Sequence, residues 1–323
     1  MPVVVFFSFM GDEVNRLMAS YAPPGFEVIL RPHATPPEEK ARLLEGADFL
    51  IPFPAEVPAE ALRRARRLRL IQLLSAGYDR LDLDLCRRLG IPVADNGGAN
   101  AWAVAEHAIA LLLALYKRLL DADRFVREGK WRGDILGYDT YEVAGKTVGI
   151  IGLGRIGAKV AARYHAFEVA RILYYDLLPR PDLEVEVRAQ RVDLDTLLRE
   201  SDIVTIHCPL TRHTRGLIGR RELGLMKPTA VLINTARGAI VDEAALIEAL
   251  RERRIAGAGL DVFAQEPVSP TNPLLRLPNV VLTPHTAGTA YEGWARRARF
   301  AFANIQRVWE GQPPLSLVRP EEE

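Results

Sequence analysis

Cysteine is scarce in this chain: Cys86 and Cys208 are the two among 323 residues. Two thiols this far apart build no disulfide framework and have no metal-ligand spacing, so two ordinary thiols in a reducing, cytoplasmic setting are expected, with no metal. Neither charge dominates. Lys and Arg number 42 against 41 Asp and Glu, a formal net charge of +1. Such a balance gives no general pull toward nucleic acid or an anionic membrane. Long hydrophobic runs are missing as well. The longest, residues 108–115, is too short to span a bilayer and is flanked by Glu106, His107, Lys117 and Arg118. Residues 3–9 are apolar, but no basic stretch precedes them and Gly11-Asp12 follows, so they read as a strand and not as a targeting segment. There are no internal repeats and no low-complexity segments. What remains is an ordinary globular composition, 49% hydrophobic and 26% charged, in a chain long enough for two cores.

The most informative stretch runs from Lys146 to Asp176. Residues 146–151 are short, apolar and β-branched, as a buried strand requires. They run into Gly152-Leu153-Gly154-Arg155-Ile156-Gly157, then a helical pattern, then a second strand over 171–175 ending at Asp176. This is a dinucleotide-binding fingerprint in its proper context. Gly152 permits the tight turn, Gly154 lets the backbone approach a pyrophosphate, and Gly157 lets helix and strand pack closely. Asp176 falls where an acid hydrogen-bonds an adenosine ribose, and its charge repels a 2′-phosphate. NAD is therefore expected over NADP, although Arg180 lies nearby.

Strands and helices alternate on both sides of this stretch. Strands are expected at 3–9, 26–30, 48–51, 70–74 and 92–95, then at 202–207, 229–234, 258–261 and 280–282, with helices between them. That alternation means parallel sheets covered by helices on both faces. Asp12 is expected to cap the first helix and Pro52-Phe53-Pro54 to form a stiff loop. Asn100 should open a helix reaching about residue 120. A final helix over 289–310 is too long for the second sheet alone and should return to the first, leaving 313–323 as a loose tail. The expected class is α/β, with two doubly wound parallel-sheet domains. A Rossmann domain over 99–287 is inserted into a flavodoxin-like substrate domain made of 1–98 plus 288–323. Two chain crossings would form a hinge, with the substrate in the cleft.

Ligands bind beyond the carboxyl ends of strands in such sheets. Arg237, Glu266 and His285 each follow a different strand of one sheet. A 2-oxo acid needs that set. Arginine offers a planar, charged fork for the carboxylate and carbonyl. Histidine can protonate the oxygen as hydride reaches the carbon, and a carboxylate beside it fixes the ring and favours its charged form. Taken singly, Arg237 could be a surface arginine or a phosphate contact, Glu266 a loop acid, and His285 a satisfied loop histidine.

Taken together, Gly152–Gly157, Cys208-Pro209-Leu210-Thr211, Asn234-Thr235-Ala236-Arg237-Gly238, Leu260-Asp261-Val262-Phe263, Glu266-Pro267 and Thr283-Pro284-His285 resemble the D-isomer-specific 2-hydroxyacid dehydrogenases in order and spacing. Ser75-Ala76-Gly77-Tyr78-Asp79 and Ala105-Glu106-His107 extend the resemblance over nearly the whole chain. It implies that Arg237 binds and polarises substrate, that His285 is the acid/base and that Glu266 is its partner. It implies a cofactor held by Gly152, Gly154, Arg155, Ile156, Gly157 and Asp176, by His207, Cys208 and Pro209, by Thr235, Ala236 and Arg237, and by Asp261, His285 and Gly288. Substrate would meet Phe53, the Ala76-Gly77 backbone, Asn100, Arg237 and His285. A homodimer built on the helix after Asn100 is also implied. His107, on an apolar helix, reads as packing or a dimer contact.

Phe53, Tyr291 and Trp294 would give an apolar rim. Such a rim suits glyoxylate, hydroxypyruvate or a larger apolar 2-oxo acid. Asn100 resembles an asparagine of phosphoglycerate dehydrogenases, but cations for a phosphate are confined to Arg31 and Arg80. Formate dehydrogenases carry Gln where this chain has Glu266. The C-terminal-binding corepressors, NAD-responsive scaffolds that resemble the family, keep all three ionisable residues and stand as the non-enzymatic alternative.

Overall fold

The computed structural model describes residues 1–132 and 139–318. The chain divides into two compact units. One takes Met1–Asn100 and the stretch from Thr289 onward, the other Ala101–Gly288.

The first unit is built on a five-stranded parallel sheet, with strands β1 (Val3–Ser8), β2 (Glu27–Pro32), β3 (Phe49–Phe53), β4 (Leu70–Gln72) and β5 (Val93–Ala94). Their spatial order is β2-β1-β3-β4-β5. Helices α1 (Asp12–Ala19), α2 (Pro37–Glu45), α3 (Ala59–Arg64) and α4 (Leu83–Arg88) connect them. Period-two alternation sends Val4 and Phe6 to one face, where they meet Phe49, Ile51, Leu70 and Phe302. Val5 and Phe7 go to the other face, against Leu44, Leu50, Leu62 and Ile71. Both faces are buried, as in other parallel sheets, and each such side chain contributes roughly 1.5–3 kcal/mol. The C-terminal helix, Tyr291–Trp309, lies on the Phe6 face.

Three expectations need correction here. Gly11, not Asp12, is the N-cap of α1; Asp12 lies in the first turn, where its charge acts on the helix dipole without a capping bond. Strand β3 continues through Pro52 to Phe53. Its ladder with β4 ends at Leu50, so beyond that point proline removes no donor the sheet needs on that side. Of the tail expected to be loose, the described part, residues 313–318, is docked; residues 319–323 lie outside the described residues. Leu317 bridges Ala94 antiparallel, the Asp95 amide donates to Ser316 O at 3.0 Å, and the Val318 amide donates to Val93 O at 2.8 Å. Buried Asn304 fastens this segment, accepting from the Leu315 amide at 2.7 Å and donating to Gln72 Oε1 at 2.7 Å. The short strand β5 would otherwise leave an open sheet edge, and the tail supplies its missing partners.

The second unit has seven parallel strands: β6 (Thr147–Ile151), β7 (Arg171–Tyr175), β8 (Ala189–Arg191), β9 (Ile203–Ile206), β10 (Val231–Asn234), β11 (Gly257–Leu260) and β12 (Val280–Leu282). Their order is β12-β11-β10-β9-β6-β7-β8, a doubly wound Rossmann sheet. Strand β8 escapes the sequence pattern because it is a three-residue edge strand with two exposed side chains. The helices are α5 (Ala101–Tyr116), α6 (Leu119–Arg127), α7 (Arg155–Ala166), α8 (Pro181–Glu186), α9 (Leu194–Glu200), α10 (Arg220–Leu225) and α11 (Glu243–Arg251). The helix expected to reach residue 120 stops at Tyr116, because Arg118 takes a left-handed conformation (φ 48°) before α6 begins. Among the described residues no helix is long and apolar enough to cross a membrane.

Helix α5 presses directly onto β11. A Cβ on Gly259 would sit 3.0 Å from Leu111 Cβ, and one on Gly257 would sit 2.6 Å from Asn279 O and 3.2 Å from Leu115 Cδ1. Glycine in this strand is thus a packing requirement. The direction of winding reverses between β6 and β9, which opens a crevice at their carboxyl ends, the usual ligand position in this architecture.

Candidate active site

Strand β6 delivers the chain to Gly152, whose φ of +95° suits glycine and whose Cβ would lie 2.5 Å from the Cys208 amide nitrogen. A Cβ on Gly157 would lie 2.2 Å from Gly152 O, so helix α7 can start this close to the strand only with glycine there. Gly154 differs: a Cβ there meets nothing within 4 Å, which leaves its backbone open on the ligand side. Helix α7 has no side-chain cap and no acid in its first turn, so its N-terminal N–H groups are not taken by a side chain of the helix start. Asp176 follows β7 and its Oδ2 accepts from the Leu153 amide at 3.0 Å, which fixes the carboxylate beside the glycine loop.

Across the crevice, β9 ends in His207, Cys208 and Pro209. Burial pushes the His207 ring down to about 3, so the ring is neutral, and its Nε2 bonds Thr205 Oγ1 at 2.8 Å. The Cys208 thiol is pushed up to about 12 by burial, which makes it a packing group and no nucleophile. His207 Nδ1 and Thr235 Oγ1 are buried with no hydrogen-bond partner among the described residues. Buried polar atoms are normally satisfied. These two atoms, the open face of Gly154 and the start of α7 together fit a dinucleotide. Gly157→Ala is expected to cost about 1–3 kcal/mol of stability through overpacking against Gly152 O and to weaken NADH binding. Calorimetry alongside fluorescence titration would check both effects, and unchanged binding would remove Gly157 from the phosphate turn.

At the other edge of the sheet, three adjacent strands end in the ionisable residues. Asn234 closes β10 and organises the next turn, its Oδ1 accepting from the Ala236 amide at 3.0 Å and its Nδ2 donating to Arg237 O at 3.0 Å. Gly238 must follow, because a Cβ there would fall 2.0 Å from Phe263 O. The Arg237 turn therefore abuts the loop that carries Glu266. Glu266 Oε1 accepts from the Phe263 amide at 3.1 Å, and Oε2 faces His285 Nδ1 at 2.8 Å. A proton on Nδ1 completes that bond and directs Nε2 away from Glu266.

His285 itself has φ 55°, and its amide donates to Asp261 O at 2.8 Å. Asp261, expected at the cofactor, has a fully buried side chain turned into the His285 loop. Its carboxylate accepts from the Thr283 hydroxyl at 2.6 Å, the Thr286 amide at 2.9 Å and the Ala287 amide at 2.8 Å. These bonds fix the carboxylate within the 283–287 loop.

Among the residues expected to meet substrate, Phe53, Ala76, Gly77 and Asn100 belong to the first unit. Phe53 ends β3 and Ala76-Gly77 follow β4. Ser75 Oγ donates to Gly77 O at 2.7 Å and shapes that loop. Asn96 ties it to Asn100, donating to Leu74 O at 3.3 Å and to Asn100 Oδ1 at 3.0 Å. Asn96-Gly97-Gly98 reads from sequence as a flexible junction, and in the structure the Asn96 side chain fastens it, its Oδ1 also accepting from the Gly98 amide at 3.0 Å. Phe53 stacks on Phe9, read from sequence only as the end of the first strand, with ring centroids 4.9 Å apart. Trp294, expected on the rim, lies buried behind Phe53 with its edge to that ring. Tyr291 is exposed.

The profile of the D-isomer specific 2-hydroxyacid dehydrogenase NAD binding domain matches residues 109–287. Over 321 residues the chain is 43% identical to a glyoxylate reductase of Korarchaeum cryptofilum, spanning 97% of this chain and 96% of that one. The chain belongs to the D-isomer-specific 2-hydroxyacid dehydrogenases. It is thus an oxidoreductase with a domain built for a nicotinamide cofactor. A D-3-phosphoglycerate dehydrogenase of Archaeoglobus fulgidus is 42% identical over 264 residues, but the match covers 81% of this chain and 49% of that longer protein. The crystal structure of the TT0316 protein of Thermus thermophilus superposes with a TM-score of 0.83 at 37% identity, covering 99% of this dehydrogenase and 100% of that chain.

Proposed function

We propose that this dehydrogenase reduces a small 2-oxo acid with an uncharged tail, of the glyoxylate and hydroxypyruvate class, to the D-2-hydroxy acid with NADH. The observation that carries the reading is the His285–Glu266 pair at 2.8 Å, held beyond the ends of β12 and β11, with Arg237 beyond the end of β10, the next strand in the sheet. Bound NADH supplies the hydride. Arg237 holds the carboxylate of the substrate and draws electron density onto the carbonyl oxygen, as charge accumulates there. His285 gives its Nε2 proton to that oxygen, and Glu266 stabilises the ring in the charged form that precedes transfer. The Ala76-Gly77 backbone and Phe53 are kept for the substrate. The apolar Phe9–Phe53 stack supports an uncharged tail, and the Korarchaeum relative's name agrees. A phosphorylated substrate would need an additional cation, and Arg31, one of the two candidates, is exposed and donates to Leu30 O.

The decisive assay follows NADH and NADPH oxidation with glyoxylate, hydroxypyruvate, pyruvate, phenylpyruvate and phosphohydroxypyruvate. Fastest turnover of phosphohydroxypyruvate would replace this reading with a phosphoglycerate dehydrogenase. No turnover with NADH still bound would favour the scaffold. The preference for NADH rests on Asp176. Asp176→Asn keeps an acceptor for the Leu153 amide and removes only the charge, so the NADH-to-NADPH ratio of kcat/KM should fall roughly tenfold. An unchanged ratio would mean that Asp176 does not read the ribose. The reading also includes a homodimer along α5 and α6, supported by exposed Leu119, Leu120 and Val126.

A further inference from the structure

We propose that His107 is a positioning residue for His285, acting through Thr283 and Asp261. Positions 107, 111 and 115 recur every four residues and so share one face of α5. Leu111 and Leu115 rest on the glycines of β11, which brings the helix within reach of that strand's carboxyl end. One turn earlier on the same face, His107 Nε2 meets Thr283 Oγ1 at 2.8 Å and lies 3.5 Å from Asp261 Oδ1. Proton counting fixes the direction of this chain. The Thr283 hydroxyl has one proton and gives it to Asp261 Oδ1 at 2.6 Å, where a carboxylate can only accept. Thr283 Oγ1 must then accept, so His107 donates from Nε2–H. The same carboxylate holds the Thr286 and Ala287 amides, and the Asp261 carbonyl holds the amide of His285. A hydrogen-bonded line thus runs from α5 to both sides of a residue kept at φ 55°. His107 touches no reacting atom; it aims the loop that carries the acid.

The inference rests on the functional reading for its kinetic part and on geometry alone for its exchange part, so the two can fail separately. His107→Phe keeps the ring volume and removes the donor, whereas His107→Gln keeps a donor. Phe should lower kcat about five- to tenfold with little change in KM for NADH, since small misplacements of an acid are costly. Gln should recover most of that loss. Hydrogen exchange by NMR at the Thr286 and Ala287 amides should speed up about tenfold in His107→Phe, as a local opening would, and remain near wild type in His107→Gln. Thr283→Val, which removes the central hydroxyl, should open the same amides and guards against a His107 variant that fails to fold. Wild-type exchange in His107→Phe, or equal exchange in the Phe and Gln variants, would overturn the proposal and leave His107 as packing. A wild-type enzyme inactive on every 2-oxo acid would sink the functional reading while exchange still decides this one.

Discussion

His285→Ala is expected to lower kcat by about 10² to 10⁴ while leaving NADH affinity within about twofold. The asymmetry follows from how the side chain is held. The imidazole meets the protein through Nδ1 on Glu266 Oε2, and the cofactor-side features belong to other strands: the glycine turn after β6, Asp176 after β7 and the His207 turn after β9. Removing the ring would delete the proposed proton donor and leave the dinucleotide cradle in place. Backbone relaxation is limited, because the 283–287 loop is gripped by Asp261 independently of the imidazole. Glu266→Gln should cost less, since Gln can still accept from the Phe263 amide through its oxygen while presenting no charge to the ring. Stopped-flow single-turnover kinetics with NADH fluorescence titration separates the effects. Turnover within tenfold of wild type in His285→Ala would assign the proton to another donor.

The glycine fingerprint was legible because it is local: strand, turn, helix, second strand and acid lie within one βαβ unit, and Gly157 answers a steric demand five residues away at Gly152 O, although Gly152 itself is pressed by distant Cys208. The Arg237, Glu266 and His285 positions were legible because strand ends announce themselves through adjoining turn residues. What escaped is non-local. His107 bonds Thr283 across 176 positions, and no periodicity encodes that meeting. Nothing near Gly257 and Gly259 in the sequence signals that Leu111 and Leu115 rest on them. The tail around Leu317 has no hydrophobic pattern of its own and is ordered by the edge of β5. Asp261 lies in a motif that pointed to the cofactor, and its bonds to Thr283, Thr286 and Ala287 are not written in that motif. Local chemistry was readable from the residues themselves, whereas their second partners depended on packing.

Arg237→Ala should produce the second large loss, a fall in kcat/KM of about 10³ or more, because on the proposed mechanism it removes both the carboxylate clamp and a donor to the developing oxyanion. The fold will tolerate the change. The turn is held by Asn234 through backbone groups at Ala236 and Arg237, and Gly238 is fitted to Phe263 whatever side chain precedes it. The native guanidinium is braced through Nη1 on Ala236 O at 2.7 Å, an orientation that a single ammonium cannot reproduce while also spanning two substrate oxygens. Arg237→Lys therefore separates charge from geometry. It should remain roughly 10–100-fold below wild type, recovering electrostatic attraction without the planar fork. Measuring kcat and KM apart shows where the loss falls. A rise confined to KM would mean that the residue only binds the carboxylate, and a matched fall in kcat would place it at the oxygen where charge develops. Wild-type kinetics in the lysine variant would show that a point charge suffices and would discard the forked contact.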